Sequence, residues 1–362
     1  MSARAQIVPV FVPHAGCPHA CAFCNQRRIA GQSERATAKT VIQALEQAAA
    51  LPRGAKRQLA FYGGSFTAIP ASEQEELLEA AQPYLSSGVI DSIRLSTRPD
   101  AVDHEVLSRL RRFQVETVEL GAQSMDDRVL ALAGRGHTSK DVEDASHMVR
   151  DSGFALILQM MTGLPGDTDE TAVETARRLI ALRPDGVRIY PTVIVRDTVL
   201  CELWRAGRYR EHTVEDAVRV CSRIVPLFEE AGIPILRLGL NPTEELSSGG
   251  AVAGAYHPAL GELVRSRVLL NRAEELLKNV QPGSRVTLGV NARELSQMIG
   301  QHRGNIDALC RTYALSALSV RSAEVKRGDV CLLALESPDQ AHEKTENYTN
   351  HREMTHDKRE IV

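Results

Sequence analysis

Three cysteines stand in a C-x3-C-x2-C run at Cys17, Cys21 and Cys24, within the stretch His14-Ala15-Gly16-Cys17-Pro18-His19-Ala20-Cys21-Ala22-Phe23-Cys24-Asn25. Thiolates this close are suited to a soft metal centre. The spacing is not the paired C-x2-C of a zinc ribbon, and no fourth cysteine lies nearby. A [4Fe–4S] cluster fits best, with three irons held by the protein and one open to a cofactor. The rival is a zinc site completed by His14 or His19. The other four cysteines, Cys201, Cys221, Cys310 and Cys331, are scattered singly through apolar contexts, where small buried hydrophobes are expected. Seven is odd, and no secretory signal precedes the first apolar segment, so the expectation is reduced thiols and a cytoplasmic protein.

A chain of 362 residues, 43% hydrophobic and 25% charged, has room for one large domain and a small one, and no apolar run reaches membrane-spanning length. Up to about residue 240, short β-branched apolar runs alternate with amphipathic stretches, the pattern of repeated strand-then-helix units on a parallel sheet. Seven strands are expected, at Ile7–Val12, Gln58–Tyr62, Ser92–Leu95, Glu116–Leu120, Ala155–Met160, Gly186–Ile189 and Ile233–Leu238. Between them lie helical patterns such as Thr40–Ala50, Ser72–Leu85, Lys140–Ser152, Asp169–Leu182 and Val214–Ala231. Six or seven units fall short of a closed eight-unit barrel and predict an α/β fold of the incomplete (β/α)6 type.

The unusual residues fall immediately after these strands. The cysteines follow the first, Gly63-Gly64-Ser65 the second, Ser96-Thr97-Arg98-Pro99-Asp100 the third, and Gly121-Ala122-Gln123-Ser124 the fourth. Gln159 ends the fifth, with Thr162-Gly163-Leu164-Pro165-Gly166 beyond it. Tyr190-Pro191-Thr192 follows the sixth and Gly239-Leu240-Asn241-Pro242-Thr243 the seventh. In a parallel barrel all these loops open onto one mouth. Paired glycines let backbone carbonyls approach an ammonium group. Ser96, Gln123 and Gln159 can hydrogen-bond a ribose or an amino-acid head group, and Arg135 can meet a carboxylate. Phe23 either shields the cluster from water or fills the core. Arg98, Arg196 and Arg237 lie near strand ends as further candidates for anions, and Tyr190 is a strand-end candidate for the residue that completes a radical reaction.

These residues resemble the radical S-adenosylmethionine (SAM) enzymes, and within them the Elongator catalytic-subunit group. The carriers are the cysteine run, Phe61-Tyr62-Gly63-Gly64-Ser65-Phe66, Ser96-Thr97-Arg98-Pro99-Asp100, Glu119-Leu120-Gly121-Ala122-Gln123-Ser124, Arg135-Gly136-His137-Thr138, Gly163-Leu164-Pro165-Gly166 and Ile189-Tyr190-Pro191-Thr192, spread over most of residues 7–260. The resemblance implies a radical SAM barrel, a [4Fe–4S] cluster on Cys17, Cys21 and Cys24, and SAM chelated at the open iron and cleaved reductively to a 5′-deoxyadenosyl radical. It places Gly63 and Gly64 at the cofactor amino group, with Gln123, Arg135 and Gln159 around its ribose and carboxylate. Ser96 stands where the family commonly has glutamate. A one-electron reductant such as flavodoxin or ferredoxin is implied, and RNA, transfer or ribosomal, is the implied substrate. The long Elongator subunits space their first two cysteines more widely. Their acetyltransferase domain finds no room in this chain, so that reaction is not carried over.

Residues 256–336 are expected to form a second, small α/β module. A helix opens at His257-Pro258 and runs to about Asn279, Arg285–Val290 is a strand, Met298–Ile306 is helical, Leu315–Val320 is an apolar run, and Asp329–Leu335 closes the module. With 11 basic and 8 acidic side chains the segment is mildly basic. Gly300-Gln301-His302-Arg303-Gly304 resembles a KH turn, with three residues between the glycines where that motif has two. The tail 337–362 is polar and is expected to be disordered. Two other readings stay open: a radical enzyme for a small carboxylated metabolite, as in the related oxygen-independent coproporphyrinogen oxidases, and a non-catalytic RNA-binding protein with structural zinc.

Overall fold

The computed structural model describes residues 6–12, 17, 21–25, 35–52, 56–240 and 249–338. His14, His19, Asn241, Pro242, Thr243 and the tail from 339 lie outside the described residues. The chain divides into two compact units, residues 1–260 and 261–362.

The first unit is built on seven strands, β1 (Gln6–Val12), β2 (Arg57–Gly63), β3 (Ser92–Thr97), β4 (Val115–Gln123), β5 (Ala155–Thr162), β6 (Gly186–Pro191) and, after a short β7 (Val193–Val195), β8 (Ile235–Leu238). They lie in the order β1-β2-β3-β4-β5-β6-β8, every neighbouring pair parallel. This is the expected incomplete barrel, with the seven strands expected from the sequence. Alternate residues of each strand face opposite sides of the sheet. One face carries Leu59, Phe61, Ile93, Leu95, Val118, Leu120, Leu156, Leu158, Val187 and Ile189, all essentially inaccessible to solvent. That apolar face requires covering helices.

Those helices start where the sequence supplies caps. Thr138, Thr168 and Thr213 each accept a hydrogen bond from the third residue of the helices Ser139–Asp151, Asp169–Ala181 and Val214–Glu230, and each cap is closed reciprocally by the side chain at that third position. Asp103 and Asp126 cap His104–Arg112 and Asp127–Leu132 in the one-sided form. The sequence pattern over Ser72–Leu85 resolves into two helices, Ala71–Glu79 and Gln82–Ser86, with Pro83 inside the first turn of the second, where its missing N–H costs nothing. The loop after β6 is more than a turn. Its β7 pairs antiparallel with β9 (Ala251–Gly254), a pairing across more than fifty residues that local periodicity cannot reveal.

In the second unit the helix Leu260–Leu277 precedes β10 (Arg285–Val290), two short helices Leu295–Ile299 and Gly304–Thr312, β11 (Ala317–Ser322) and β12 (Val330–Glu336). β10 is central, parallel to β11 and antiparallel to β12. Leu269, Ala273, Leu277, Val286, Leu288, Val290, Met298, Ile306 and Leu309 form its core. The turn between the short helices places Gly300, His302 and Arg303 at positive φ.

Phe228 is fully buried on Val214–Glu230, which packs on Asp169–Ala181, β5 and β8. Phe228→Ala removes a filled aromatic site and is expected to cost about 3–5 kcal/mol of stability, read as a lower urea midpoint at unchanged slope.

Candidate active site

The carboxyl ends of the strands are joined one to the next. The Gly64 N–H donates to the Val12 carbonyl (2.7 Å), and Ser65 Oγ pairs with Thr97 Oγ1 (2.9 Å) while accepting from the Arg98 N–H (3.2 Å). Arg98 holds Asp100 through Nε and Nη2, both at 2.9 Å, and also donates to the Arg135 carbonyl. Gln159 Nε2 donates to Gln123 Oε1 (3.2 Å), and Thr192 Oγ1 donates to the Thr162 carbonyl (2.7 Å).

The cysteine segment is tied into this rim. The Ala22 N–H donates to the Ala133 carbonyl (2.9 Å), and the Ala22 carbonyl accepts from the Leu200 N–H (2.7 Å). Phe23 packs against Val129, Ala133, Met161 and Leu164 on one side and Ile194, Leu200 and Cys201 on the other, so it anchors the segment to the core. Burial pushes the Cys17 thiol up and the neighbouring Cys21 adds to that, while Arg98, Arg135 and the Ser65 backbone N–H pull it back. Cys17 therefore lies beside both the glycine loop of β2 and the two arginines.

Arg135 is the junction. It is buried; its Nη1 lies 3.2 Å from Cys21 Sγ and its Nη2 donates to the Gly121 carbonyl (2.8 Å). A Cβ on Gly121 would sit 2.8 Å from Gln123 Nε2 and 3.3 Å from Arg135 Nη2, so only glycine leaves both groups in place. Gln123 itself has φ 65°, at an irregularity in the β4–β5 register. The sites expected from sequence thus meet at one place: Gly64 and its Ser65 neighbour beside Cys17, Arg135 on Cys21, and Gln123 with Gln159. Gly63 bends the strand end with φ 107°. Ser96 lies one level deeper, opposite Glu119 in the β3–β4 register. The other mouth arginines are turned to backbone carbonyls, Arg196 to Gly249 and Arg237 to Gly239 and Leu240.

Below the rim, the face of the sheet opposite the helices carries a buried ionic network. The Glu119 carboxylate is paired with Arg94 and with Arg188, whose Nε lies 2.9 Å from Oε2. Arg188 Nη2 also donates to Tyr62 Oη (2.9 Å), and Tyr62 Oη lies 3.4 Å from Glu119 Oε1. Burial works against the Arg188 charge, but Glu119 overrides it and raises its pKa. Burial and the Glu119 charge push Tyr62 up to about 12, so it stays protonated at neutral pH. Tyr190 Oη lies 3.4 Å from Arg188 Nη1.

Comparison with known proteins decides the family. Residues 11–179 match the radical SAM superfamily domain and residues 184–269 the radical SAM C-terminal domain. The chain belongs to the radical SAM superfamily. Human Elongator complex protein 3 is 32% identical over 185 residues, covering 46% of this chain and 34% of that protein. Protein YhcC of Escherichia coli K12 is 28% identical over 200 residues, 54% of this chain and 63% of its own. The tRNA uridine(34) acetyltransferase of Dehalococcoides mccartyi is 27% identical over 237 residues, 56% and 52%. The chain thus spans about a third to less than two thirds of these relatives. Archaeal Elp3 from Methanocaldococcus infernus superimposes with TM-score 0.60 at 20% identity, over 79% of this chain and 71% of that one, a likeness of fold.

A radical SAM enzyme implies a [4Fe–4S] cluster and SAM, and the residues present fit both. The donor set is all thiolate, the ligand that soft iron prefers. Among the described residues no three His, Cys, Asp or Glu side chains converge on a single ion, and a cluster makes no such demand because each thiolate binds its own iron. Arg135, whose Nη1 lies on Cys21 Sγ, and Arg98 each keep a buried N–H without a hydrogen-bond partner, Nε and Nη1, so donors remain for an anionic group.

Reasoning from sequence missed the Arg94–Glu119–Arg188 network. The signal was there: Ile93-Arg94-Leu95, Val118-Glu119-Leu120 and Val187-Arg188-Ile189 each set one charge between two apolar residues within a buried strand. Glu119→Gln leaves two buried guanidiniums facing no charge, and a loss of about 3–5 kcal/mol in urea unfolding is expected.

His137 Nε2–H donates to the Ala122 carbonyl (3.1 Å), and burial, reinforced by the Arg135 charge, lowers its pKa from 6.5 to about 4. Its unfolded state binds the proton first, so the stability this neutral histidine contributes is complete above about pH 6.5 and is lost as pH falls towards 4. Urea midpoints at pH 7 and pH 5 should therefore differ more for the wild type than for His137→Gln; equal differences would contradict it.

Proposed function

We propose that this enzyme holds its [4Fe–4S] cluster on Cys17, Cys21 and Cys24, leaves one iron to SAM, and modifies RNA. The observation that carries the reading is the convergence of the cysteine segment with the Gly63-Gly64-Ser65 loop, Arg135 and the Gln123–Gln159 pair at one barrel mouth. When bound, the cluster and SAM supply a 5′-deoxyadenosyl radical that takes a hydrogen atom from the substrate. The work of this chain is to bind, orient and exclude water. Gly63 and Gly64 offer backbone close to the cofactor amino group, Arg135 Nε–H is a donor for its carboxylate, and Ser96, Gln123 and Gln159 are polar contacts for its ribose. Phe23, packed against two apolar clusters, holds the cysteine segment against the rim. A one-electron donor of the flavodoxin or ferredoxin kind completes the requirement.

RNA as substrate is supported by the name of the Dehalococcoides relative, a tRNA uridine acetyltransferase, and by the mildly basic segment 256–336 with its Gly300–Gly304 turn. A second reading, a small carboxylated metabolite, is favoured by one feature: Glu119 is shared by two arginines, Arg94 and Arg188, so this network carries an excess positive charge for an acidic group.

Anaerobically reconstituted protein with dithionite and SAM is expected to release 5′-deoxyadenosine, and Cys21→Ala to abolish it. Release by that variant would remove the ligand assignment, and zinc in place of iron and sulfide after anaerobic purification would favour a structural zinc site. Mass spectrometry of transfer and ribosomal RNA from cells lacking the protein should show a missing modified nucleoside; an unchanged profile favours the metabolite reading.

A further inference from the structure

Arg135 is a buried cation with no carboxylate partner among the described residues. Arg98, next to it, is matched by Asp100 in a two-point pair. Arg135 spends Nη1 on Cys21 Sγ and Nη2 on the Gly121 carbonyl, and its Nε has no partner. A buried guanidinium needs an anion nearby, because the protein interior screens it poorly. The anion at hand is the thiolate centre itself. An iron–sulfur cluster with three thiolates is anionic, and it gains one further negative charge on reduction.

We propose that Arg135 is a positioning residue for the iron–sulfur cluster, donating Nη1–H to the Cys21 thiolate and holding a fixed positive charge that favours the reduced cluster. This rests on reading Cys17, Cys21 and Cys24 as cluster ligands. A hydrogen bond to a ligating sulfur withdraws electron density from it, and net charge around a cluster is one of the main levers on its potential. The guanidinium cannot swing away: Nη2 is fixed to the β4 backbone, the Arg135 carbonyl is held by Arg98, and the absence of a Cβ on Gly121 leaves room for the fork. A purely structural arginine, stitching the Gly134–Gly136 turn to β4, would support stability without moving the potential.

The test uses anaerobic holoenzyme of the wild type, Arg135→Gln and Arg135→Lys, with the exposed Arg177→Gln as control. Iron and sulfide content, EPR-monitored redox titration and the Fe–S stretching bands in resonance Raman are measured. The expected result is a potential shifted downward in Arg135→Gln, a smaller downward shift in Arg135→Lys, altered Fe–S bands in both, and no change in the control. Full iron content with an unchanged potential in Arg135→Gln overturns the proposal. Should Arg135→Gln fail to retain iron, Arg135→Lys decides, since it keeps the charge and loses the fork; unshifted Fe–S bands there overturn it equally. Wild-type protein without iron and sulfide would instead refute the cluster reading, a separate failure.

Discussion

The constraint on which the site depends is the burial of one guanidinium. Arg135 is removed from water, so each of its N–H groups must be answered by an acceptor or stand as an unmet cost. Meeting that demand joins the pieces. Nη1 reaches the cysteine segment, Nη2 reaches the end of β4, and Arg98 from the end of β3 grips the Arg135 carbonyl. The glycine at 121 follows from the same demand, because a methyl group there would collide with both Gln123 and Arg135. Connecting loops are ordinarily the more mobile part of a fold. Here the cysteine segment is held by a charge that has nowhere else to go.

The half-barrel separates stability from chemistry by the two faces of its strands. The outer face is continuous Leu, Ile, Val and Phe under capped helices, and it supplies the apolar burial that offsets chain entropy. The inner face is polar and charged. An ion network of this kind is weak evidence of stability, since desolvation of three charges cancels much of their attraction. The network shapes the groups around it: Glu119 keeps Arg188 charged, burial and Glu119 keep the Tyr62 hydroxyl protonated, and Arg188 Nη2 donates to its oxygen and orients it. A polar floor beneath the mouth with a surplus guanidinium presents donors to whatever substrate enters, whichever of the two readings of that substrate holds.

The strands and the principal helices were legible in the sequence because both depend on local signals, β-branched apolar runs and the amphipathic stretches between them. The β7–β9 pairing was not legible, since nothing in Val193–Val195 announces a partner at Ala251–Gly254. The cysteine run, the glycine loop and the strand-end polar residues declared themselves by type and position. What sequence could not supply was how each side chain is spent. Arg98, Arg196 and Arg237 looked alike as free cations at a mouth, but Arg98 is matched by Asp100 and the other two cap carbonyls. Phe23 had two readings, shield and filler; packing on both flanks makes it filler that also holds the segment in place. Contacts among distant residues decide such cases, and they are a property of the fold.

Gln123 carries the argument one step further. A non-glycine residue at φ 65° is costly, on the order of 1 kcal/mol or more, and it persists only where the surroundings fix it. Here the surroundings are the shift in register between β4 and β5, the Gln159 amide that donates to Gln123 Oε1, and the space left by Gly121. The left-handed residue closes a bulge in which Ala122 is the extra residue, and β4 still pairs with β5 at Gln123, whose Nε2 lies beside Gly121. In an unbulged strand the pairing would run on in step and set Gln123 opposite Met161; the extra residue Ala122 sets it opposite Met160 instead. The strain is thus the cost of holding a donor and an acceptor at the mouth, at the same level as the buried charge that fixes the cysteines.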